Sequence, residues 1–389
     1  MKAPDDQPKP RLYRVLLIAL VGTALLVTML YPLVRLRLRA ASLLLRIQDA
    51  HATGSIAGFA THPIDETPAT IDTANGPVPA RRYTPRGVAH PPGMVVLHGV
   101  HHLGVEEPRL VNFSRALAAS GIEVLTPELQ SLADYRVDER DLAVIGAAAQ
   151  TLRQRTGRRV GMLGLSFAGG LALVSAADPR YAGDIGFVFS IGGYDDLERV
   201  CRYLATGQVA WPDGGVQNLP SHEYGALVVV YSHPDTFFAP QDVPAATDAL
   251  RLQLGEDLPA ARAQLERLTP EGRARMQILL DHKPELLAAE ILKALPRHTA
   301  EMERVSPHSH LAGLRVPVLL LHGSGDNVIP AAETQWLAQD VPQPWLRKAL
   351  ISPLLTHVEV DRHTSWRDKL AIVEFMAAML REVDALEVK

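Results

Sequence analysis

Residues 159–177 read RVGMLGLSFAGGLALVSAA. The first part, RVGMLGLS, is a continuous apolar run typical of a strand buried on both faces, and a helix is predicted to follow at once over Phe167–Ala177. A serine at such a sharp turn is held with its hydroxyl exposed above the sheet, and small residues, here Gly164 and Ala168, must flank it. Ser166 is therefore a candidate nucleophile, and the alternative is a serine that only caps the helix.

Strand and helix patterns alternate on both sides of this turn. A hairpin comes first, because two β-prone runs, 67–73 and 78–83, flank an Asn-Gly pair. Further strands are predicted at 94–99, 122–129, 159–166, 185–193, 316–326 and 346–352. Helices are predicted at 108–120, 138–155, 167–177, 331–340 and 366–383. The alternation predicts an α/β fold with a mostly parallel sheet flanked by helices.

Residues 195–310 interrupt this alternation. Their pattern is mostly helical. Helices are predicted at 244–254, 259–268, 270–281 and 284–295, and each of them begins at a proline. Only 227–232, LVVVYS, is ambiguous between a strand and a buried helix. The sequence thus predicts a core in two parts, 67–194 and 311–389, with a helical cap inserted at 195–310.

The N-terminal region suggests a membrane anchor. After a tail at 1–14, the 20 residues between Arg14 and Arg35 carry no charge, and as a helix they reach about 30 Å, the thickness of the hydrocarbon core. This predicts a single transmembrane helix at 15–34, with a cleaved signal peptide and a buried core helix as the alternatives. Four Lys or Arg residues lie on each side, so the side on which the body lies is not predicted.

The segment 35–66 combines an amphipathic helix with a linker. Leu36, Ala40, Leu43, Leu44 and Ile47 recur at helical spacing beside a stripe of arginines. Such a helix either lies on the membrane surface or packs against the globular body, and the pattern does not choose between them.

Charge and cysteine content exclude several classes of function. The 389 residues carry a net charge of −4, divided into +6 over residues 1–46 and −10 beyond. An acidic body repels polyphosphate, so no nucleic-acid partner is expected, whereas the basic N-terminus suits membrane lipid. The single cysteine, Cys201, excludes an intrachain disulfide and a Cys-based zinc cluster.

Partners for Ser166 follow later in the chain. A serine nucleophile needs a base within hydrogen-bond reach and a carboxylate that orients the base. Asp326 lies in HGSGDNVIP just after a predicted strand, and His357 lies in SPLLTHVEV just after the next. Because ligands bind at the carboxyl ends of the strands in open α/β sheets, we expect Ser166, Asp326 and His357 to meet there as a catalytic triad.

Some alternatives stay open. His363 is the second candidate for the base, and Asp134 and Asp195 are the other candidates for the acid. His322 is expected to form a hydrogen bond with the backbone. His101 and His102 are expected either to lie on an exposed loop or to contact substrate. The sequence His308-Ser309-His310 has no carboxylate or cysteine set nearby at metal-ligand spacing, so no metal site is expected.

With these motifs in this order, the chain resembles the α/β-hydrolase superfamily, most closely its serine esterases and dienelactone-hydrolase-like members. The resemblance spans about residues 67–384, and it departs from the usual elbow in having Ala168 where a second glycine is common. It implies an oxyanion hole formed by the backbone N–H groups of Val100 and Phe167.

The expected function is that of a membrane-anchored serine hydrolase of the carboxylesterase kind. Its Ser-His-Asp triad would cleave carboxylic ester or related acyl bonds of a small molecule through an acyl-enzyme, without a cofactor. An acyltransferase with the same triad and a catalytically silent anchored binding protein are the alternatives.

Overall fold

The computed structural model of the protein describes residues 10–281, 283, 286–356, 359–360 and 365–386. The strands are β1 (Ile64–Thr73), β2 (Gly76–Pro85), β3 (Gly93–Leu97), β4 (Glu123–Pro127), β5 (Val160–Leu165), β6 (Ile185–Ile191), β7 (Gln208–Ala210), β8 (Val216–Asn218), β9 (Val318–Gly323), β10 (Leu346–Ser352), β11 (Leu355–Thr356) and β12 (Glu359–Val360). Eight of them form one sheet of order β1-β2-β4-β3-β5-β6-β9-β10, while β7 pairs with β8 and β11 with β12.

The sheet is mostly parallel. The pairs β1–β2 and β2–β4 are antiparallel, and all pairs from β4 through β10 are parallel. The predicted hairpin is confirmed, with Thr73 opposite Gly76, whose φ of +111° favours glycine. Every residue of β3, β5, β6 and β9 is buried, as their continuous apolar runs predict.

Helices cover the sheet and build the insert. They are α1 (Pro10–Gln48), α2 (Pro108–Ala119), α3 (Gln130–Ala133), α4 (Arg140–Thr156), α5 (Phe167–Ala177), α6 (Leu197–Thr206), α7 (Gly225–Ser232), α8 (Pro234–Phe237), α9 (Val243–Leu254), α10 (Leu258–Ala263), α11 (Pro270–Leu280), α12 (Ala288–Ala294), α13 (Thr299–Val305), α14 (Ala332–Asp340) and α15 (Trp366–Asp384).

Successive residues of a strand face opposite sides of the sheet and so belong to two cores. In β3, Val95 and Leu97 pack with α4, α5 and the cap helices, whereas Met94 and Val96 pack with α2, α15 and the C-terminal part of α1. The predicted α/β fold, with a mostly parallel sheet flanked by helices, is confirmed.

The C-terminal part of α1 packs against the body. Ala40 and Leu43 are fully buried, and α1 contacts α2 and α15. Arg39 forms an ion pair with Asp384 at 2.6 Å, and Ser42 Oγ donates to the carbonyl of Ala57 at 2.8 Å. The amphipathic stripe therefore faces protein, which favours the second of its two interpretations.

The N-terminal part of α1 includes the predicted transmembrane segment. In the portion of the chain that the structure describes, no helix is long and apolar enough to cross a membrane. The transmembrane helix at 15–34 therefore stays a prediction.

The insert at 195–310 is mainly helical and runs from α6 to α13. Residues 227–232 lie in α7, so the buried-helix interpretation of that run is right. The predicted helix at 259–268 is α10 followed by a 3-10 turn at Gln264–Arg267, and the predicted helix at 284–295 is partly α12, with residues 284–285 outside the described part. The short β7–β8 hairpin is the element that the helical pattern missed.

Helix α5 packs closely on β5, the strand that precedes it. A Cβ placed on Gly164 would lie 2.2 Å from the carbonyl oxygen of Ala168 and 2.6 Å from the backbone nitrogen of Gly169. These neighbours are backbone atoms that no side-chain rotation can move away. Glycine at 164 is therefore required for the turn between β5 and α5.

We predict that Gly164→Ala lowers the free energy of unfolding by at least about 2 kcal/mol, because the added methyl group displaces α5 from β5. Gly183→Ala is the matched control, since a Cβ there meets nothing within 4 Å, and we expect it to change the stability by less than about 0.5 kcal/mol. Denaturant unfolding measures both. Equal stabilities of the two variants would contradict the predicted packing constraint.

Candidate active site

Ser166 lies in a strained turn between β5 and α5. Its φ is +54° and its ψ is −131°, a conformation that costs a residue other than glycine free energy. Two hydrogen bonds hold it, since the Ser166 N–H donates to the Ile191 carbonyl at 2.8 Å and the Gly169 N–H donates to the Ser166 carbonyl at 2.8 Å. The sequence prediction of a serine at a sharp strand-to-helix turn agrees with this geometry.

The loop after β3 lies beside Ser166. A Cβ placed on Gly99 would be 3.3 Å from Ser166 Cβ and 3.9 Å from Ser166 Oγ. His98, which is buried, fixes this loop because its Nε2 accepts the Leu129 N–H at 2.9 Å. Nδ1 then carries the proton and donates to the Gly99 carbonyl at 2.8 Å. Burial lowers the pKa of His98, so its ring stays neutral.

The two predicted oxyanion donors lie on either side of this junction. Phe167 is the first residue of α5, and Val100 directly follows Gly99. Within the described residues, neither backbone N–H has a hydrogen-bond acceptor in the protein. This placement would allow both N–H groups to donate to an oxyanion, and their role in an oxyanion hole stays a prediction.

Asp326 follows β9 and is 2% exposed. Its Oδ1 accepts the N–H groups of Val328 at 2.9 Å and Ile329 at 3.0 Å, which fix the orientation of the carboxylate. A Cβ placed on Gly192 would lie 3.5 Å from Asp326 Oδ2, and Gly192 directly follows Ile191, the acceptor for the Ser166 N–H. The structure therefore brings Asp326 and Ser166 to the same end of β6.

His322 supports the loop that carries Asp326. Its Nε2 lies 2.8 Å from the Ile329 carbonyl, which can only accept, so this nitrogen carries the proton. Nδ1 is then free to accept the hydroxyl of Thr334 at 2.7 Å. The expectation that His322 bonds the backbone is confirmed.

The candidate bases His357 and His363 lie outside the described residues. The chain just before His357 contacts the loop of Asp326, because a Cβ placed on Gly323 would be 2.3 Å from the Leu355 carbonyl oxygen. The choice of His357 as the base stays a prediction.

The two alternative acids contact residues of the cap. Asp134 accepts the Tyr231 hydroxyl at 2.8 Å and the Arg251 Nε–H at 3.1 Å. Asp195 is buried and accepts a guanidinium N–H of Arg199 at 2.8 Å. Burial, with the negative charge of nearby Glu333, raises the pKa of Asp195 to about 7. Asp134 thereby joins the core to the insert, whereas Asp195 begins the insert and is joined to the core by its N–H, which donates to Glu333 Oε2 at 2.9 Å.

The two histidines after Gly99 have different contacts. His102 Nδ1 lies 3.0 Å from the Tyr135 hydroxyl, and His101 Nδ1 accepts the Leu103 N–H at 3.1 Å. The histidines therefore make contacts within their own loop and with the segment after α3, and neither contact requires a substrate.

A cavity of about 270 Å³ lies between Phe167 and the cap. Apolar side chains such as Leu204, Val228 and Ile291 line it, together with the polar residues Glu139, His233, His298 and Glu301. Phe167 directly follows Ser166 in the chain, and Ser166 itself does not line the cavity. Sequence patterns did not predict this wall, since its members come from separate helices of the insert and, at 136–139 and Phe167, from the core.

Comparison with known proteins gives the family. Residues 142–359, more than half of the chain, match the family described as X-Pro dipeptidyl-peptidase (S15 family). No curated protein matches the sequence.

Several solved structures are similar in fold. An acylaminoacyl peptidase in complex with Z-Gly-Gly-Phe-chloromethyl ketone gives a TM-score of 0.50 at 11% identity, over 82% of this chain and 41% of that one. A puromycin-hydrolysing peptidase of Mycobacterium tuberculosis gives 0.47 at 16% identity, over 85% and 40%. An esterase of Pyrobaculum calidifontis gives 0.46 at 17% identity, over 92% and 94%.

The chain spans about two fifths of the length of these two peptidases, and the similarity to the acylaminoacyl peptidase concerns the fold alone. The order of the sheet agrees with the α/β-hydrolase superfamily, and the serine turn lies inside the matched segment. The chain thus has the α/β-hydrolase fold and belongs to the X-Pro dipeptidyl-peptidase (S15) family.

Proposed function

We propose that this protein cleaves carboxylic esters or related acyl bonds of small molecules through a covalent acyl-enzyme on Ser166. The observation that carries the proposal is the strained turn at Ser166, with the Gly99 loop beside its Oγ. This backbone conformation of Ser166 is energetically unfavourable, and such strain is typical of catalytic positions.

The proposed mechanism needs three side chains and two backbone N–H groups at the carboxyl end of the sheet. Ser166 Oγ attacks the acyl carbonyl carbon while His357 accepts the hydroxyl proton, and Asp326 orients the imidazole and stabilises its charged form. The N–H groups of Val100 and Phe167 donate to the developing oxyanion. Collapse of the tetrahedral intermediate breaks the bond to the leaving alcohol, which takes the proton from His357. Water then repeats the sequence and releases the acid.

The carboxylate of Asp326 suits the orienting role. Two backbone N–H groups hold its Oδ1, so the side chain is fixed before any substrate binds, which is the preorganisation that the role requires. The cavity that Phe167 lines is mostly apolar and of modest volume, which would suit a small apolar acyl group.

The family match favours a second candidate, the cleavage of peptides after an Xaa-Pro dipeptide. The name of the family refers to that activity, and the same groups would attack an amide carbonyl. Transfer of the acyl group to an acceptor other than water also uses the same triad. A silent binding protein would retain the fold but would have no need of a strained serine.

The test compares a p-nitrophenyl ester of a short fatty acid with an Xaa-Pro p-nitroanilide. We expect the wild-type protein to hydrolyse the ester with the higher kcat/KM. We expect Ser166→Ala, Asp326→Asn and His357→Ala each to lose at least about a thousandfold in kcat, because the triad acts as a unit.

Asp195→Asn and His363→Ala are the matched controls, and both should retain activity within about tenfold. A higher kcat/KM for the Xaa-Pro amide that depends on Ser166 would favour the peptidase over the esterase. Ester hydrolysis that persists in Ser166→Ala would contradict the proposal itself.

We also propose that residues 15–34 attach the protein to a membrane, with the side of the catalytic body left open. The support is the 20-residue run without charge, together with the exposure of apolar side chains in this part of α1, including Ile18 at 71% and Met29 at 78%. The basic flanks add affinity for anionic lipid.

Extraction of cell membranes at high pH tests this attachment. We expect the wild-type chain to stay in the membrane pellet, and Val21→Arg combined with Leu30→Arg to release it, because charge in the hydrocarbon core costs about 3 kcal/mol per residue. Complete extraction of the wild-type chain into the supernatant would contradict the anchor.

A further inference from the structure

Tyr135 has a backbone conformation that is unfavourable for its side chain. It lies one residue beyond Asp134, the residue that ends α3, and its φ is +57°. Helix ends use this left-handed region with glycine or asparagine, whereas a tyrosine there has a free-energy cost that glycine avoids. The side chain of Tyr135 is nevertheless buried. The contacts of this side chain must therefore offset the cost of its backbone conformation.

The hydroxyl group of Tyr135 joins two distant segments of the chain. It donates to the carbonyl of Leu254, the last residue of α9 in the cap, at 2.5 Å. Because a hydroxyl group has a single proton, its oxygen accepts at the other contact, which is with His102 Nδ1 at 3.0 Å. Burial raises the pKa of Tyr135 to about 12, so the hydroxyl keeps its proton at neutral pH. One hydroxyl thus links the cap to the loop after β3.

Val100, the predicted oxyanion donor, lies between two fixed points of that loop. Before it, His98 donates to the Gly99 carbonyl at 2.8 Å. After it, the exposed His102 reaches the hydroxyl of the buried Tyr135. Loss of the second fixed point would free the peptide group of Val100 to shift, and displacements of about 1 Å in an active site have large effects on rate.

The residues on either side of Tyr135 contact the cap as well. Asp134 accepts the hydroxyl of Tyr231 in α7 at 2.8 Å, and the guanidinium group of Arg136 lies 4.6 Å from the centre of the Tyr231 ring. The segment that carries Tyr135 is therefore packed against the cap on several sides. Its hydroxyl is a firmly held attachment point for an exposed loop.

We propose that Tyr135 is a positioning residue, whose hydroxyl holds His102 and so sets the position of the Val100 N–H relative to Ser166. In this role Tyr135 acts through His102 rather than on the substrate. Its expected effect on the rate rests on the proposed function at Ser166. Its hold on the loop does not depend on that function.

Hydrogen exchange of the full-length protein tests the hold on the loop, with mass spectrometry of peptides that cover residues 99–107. The N–H groups of Leu103 and Gly104 donate to Nδ1 and to the carbonyl of His101, in the turn that carries His102. We expect Tyr135→Phe and His102→Ala each to speed the exchange of these two amides at least about fivefold, because the turn then opens more often.

Hydrolysis of the p-nitrophenyl ester tests the effect on the rate. We expect Tyr135→Phe and His102→Ala each to lower kcat about tenfold and to change KM less than about twofold, because only a donor to the oxyanion is displaced. The double variant should also lose about tenfold, since both changes break the same hydrogen bond. His102→Asn, whose side-chain N–H can replace Nδ1–H, should recover most of the loss.

Tyr181→Phe is the control for loss of a tyrosine hydroxyl. Tyr181 lies between α5 and β6, at the opposite edge of the sheet, and this variant should behave as the wild-type protein does in both measurements. Thermal unfolding reports whether each variant folds. Because His102 is exposed, His102→Ala decides the question if Tyr135→Phe does not fold.

Unchanged exchange in both variants would overturn the proposal. So would faster exchange with an unchanged kcat, or a loss of about a hundredfold in the double variant. Absence of hydrolysis that depends on Ser166 in the wild-type protein would contradict the proposed function instead. The exchange measurement alone would then decide whether Tyr135 holds the loop.

Discussion

The contact between β5 and α5 at Gly164 is the constraint on which the arrangement of this molecule depends. Because the backbone of Ala168 occupies the place of a side chain at Gly164, the chain must reverse within one residue, and Ser166 takes a positive φ to achieve this. Its N–H is held by β6, and the loop after β3 lies against its Cβ. This packing requirement thereby fixes the position of one hydroxyl group, on a serine that is 6% exposed.

The parallel sheet then determines which loops surround that hydroxyl. Strands β3, β5, β6 and β9 lie near the middle of the sheet and end at the same edge, so Gly99, Ser166 and Asp326 meet although the chain separates them widely. Buried histidines hold two of these loops, His98 after β3 and His322 in β9, each through both ring nitrogens. The insert covers this edge and supplies the cavity beside Phe167.

Much of the fold could be predicted from the sequence because strands buried on both faces, such as β5 and β9, give continuous apolar runs. Strand β10 is only partly buried and was also predicted with its observed bounds. The β7–β8 hairpin was not predicted, since its strands are three residues long and mostly exposed, without a run to detect. The placement of Ser166 at a sharp strand-to-helix turn could be predicted from the small residues that flank it, Gly164 and Ala168. The placement of His233 beside His298 and Glu301 on the cavity wall could not be predicted, because only tertiary packing brings His233 to the other two.

The claim on which the functional account rests is that Ser166 is an activated nucleophile, and its covalent modification tests this most directly. The folded protein is treated with a fluorophosphonate, and the adduct is located by mass spectrometry of the intact chain and its peptides. The account predicts one adduct per chain, on Ser166, which is absent from Ser166→Ala and from the protein unfolded before treatment. An unmodified Ser166 in the folded protein, or an adduct on another serine, would contradict it.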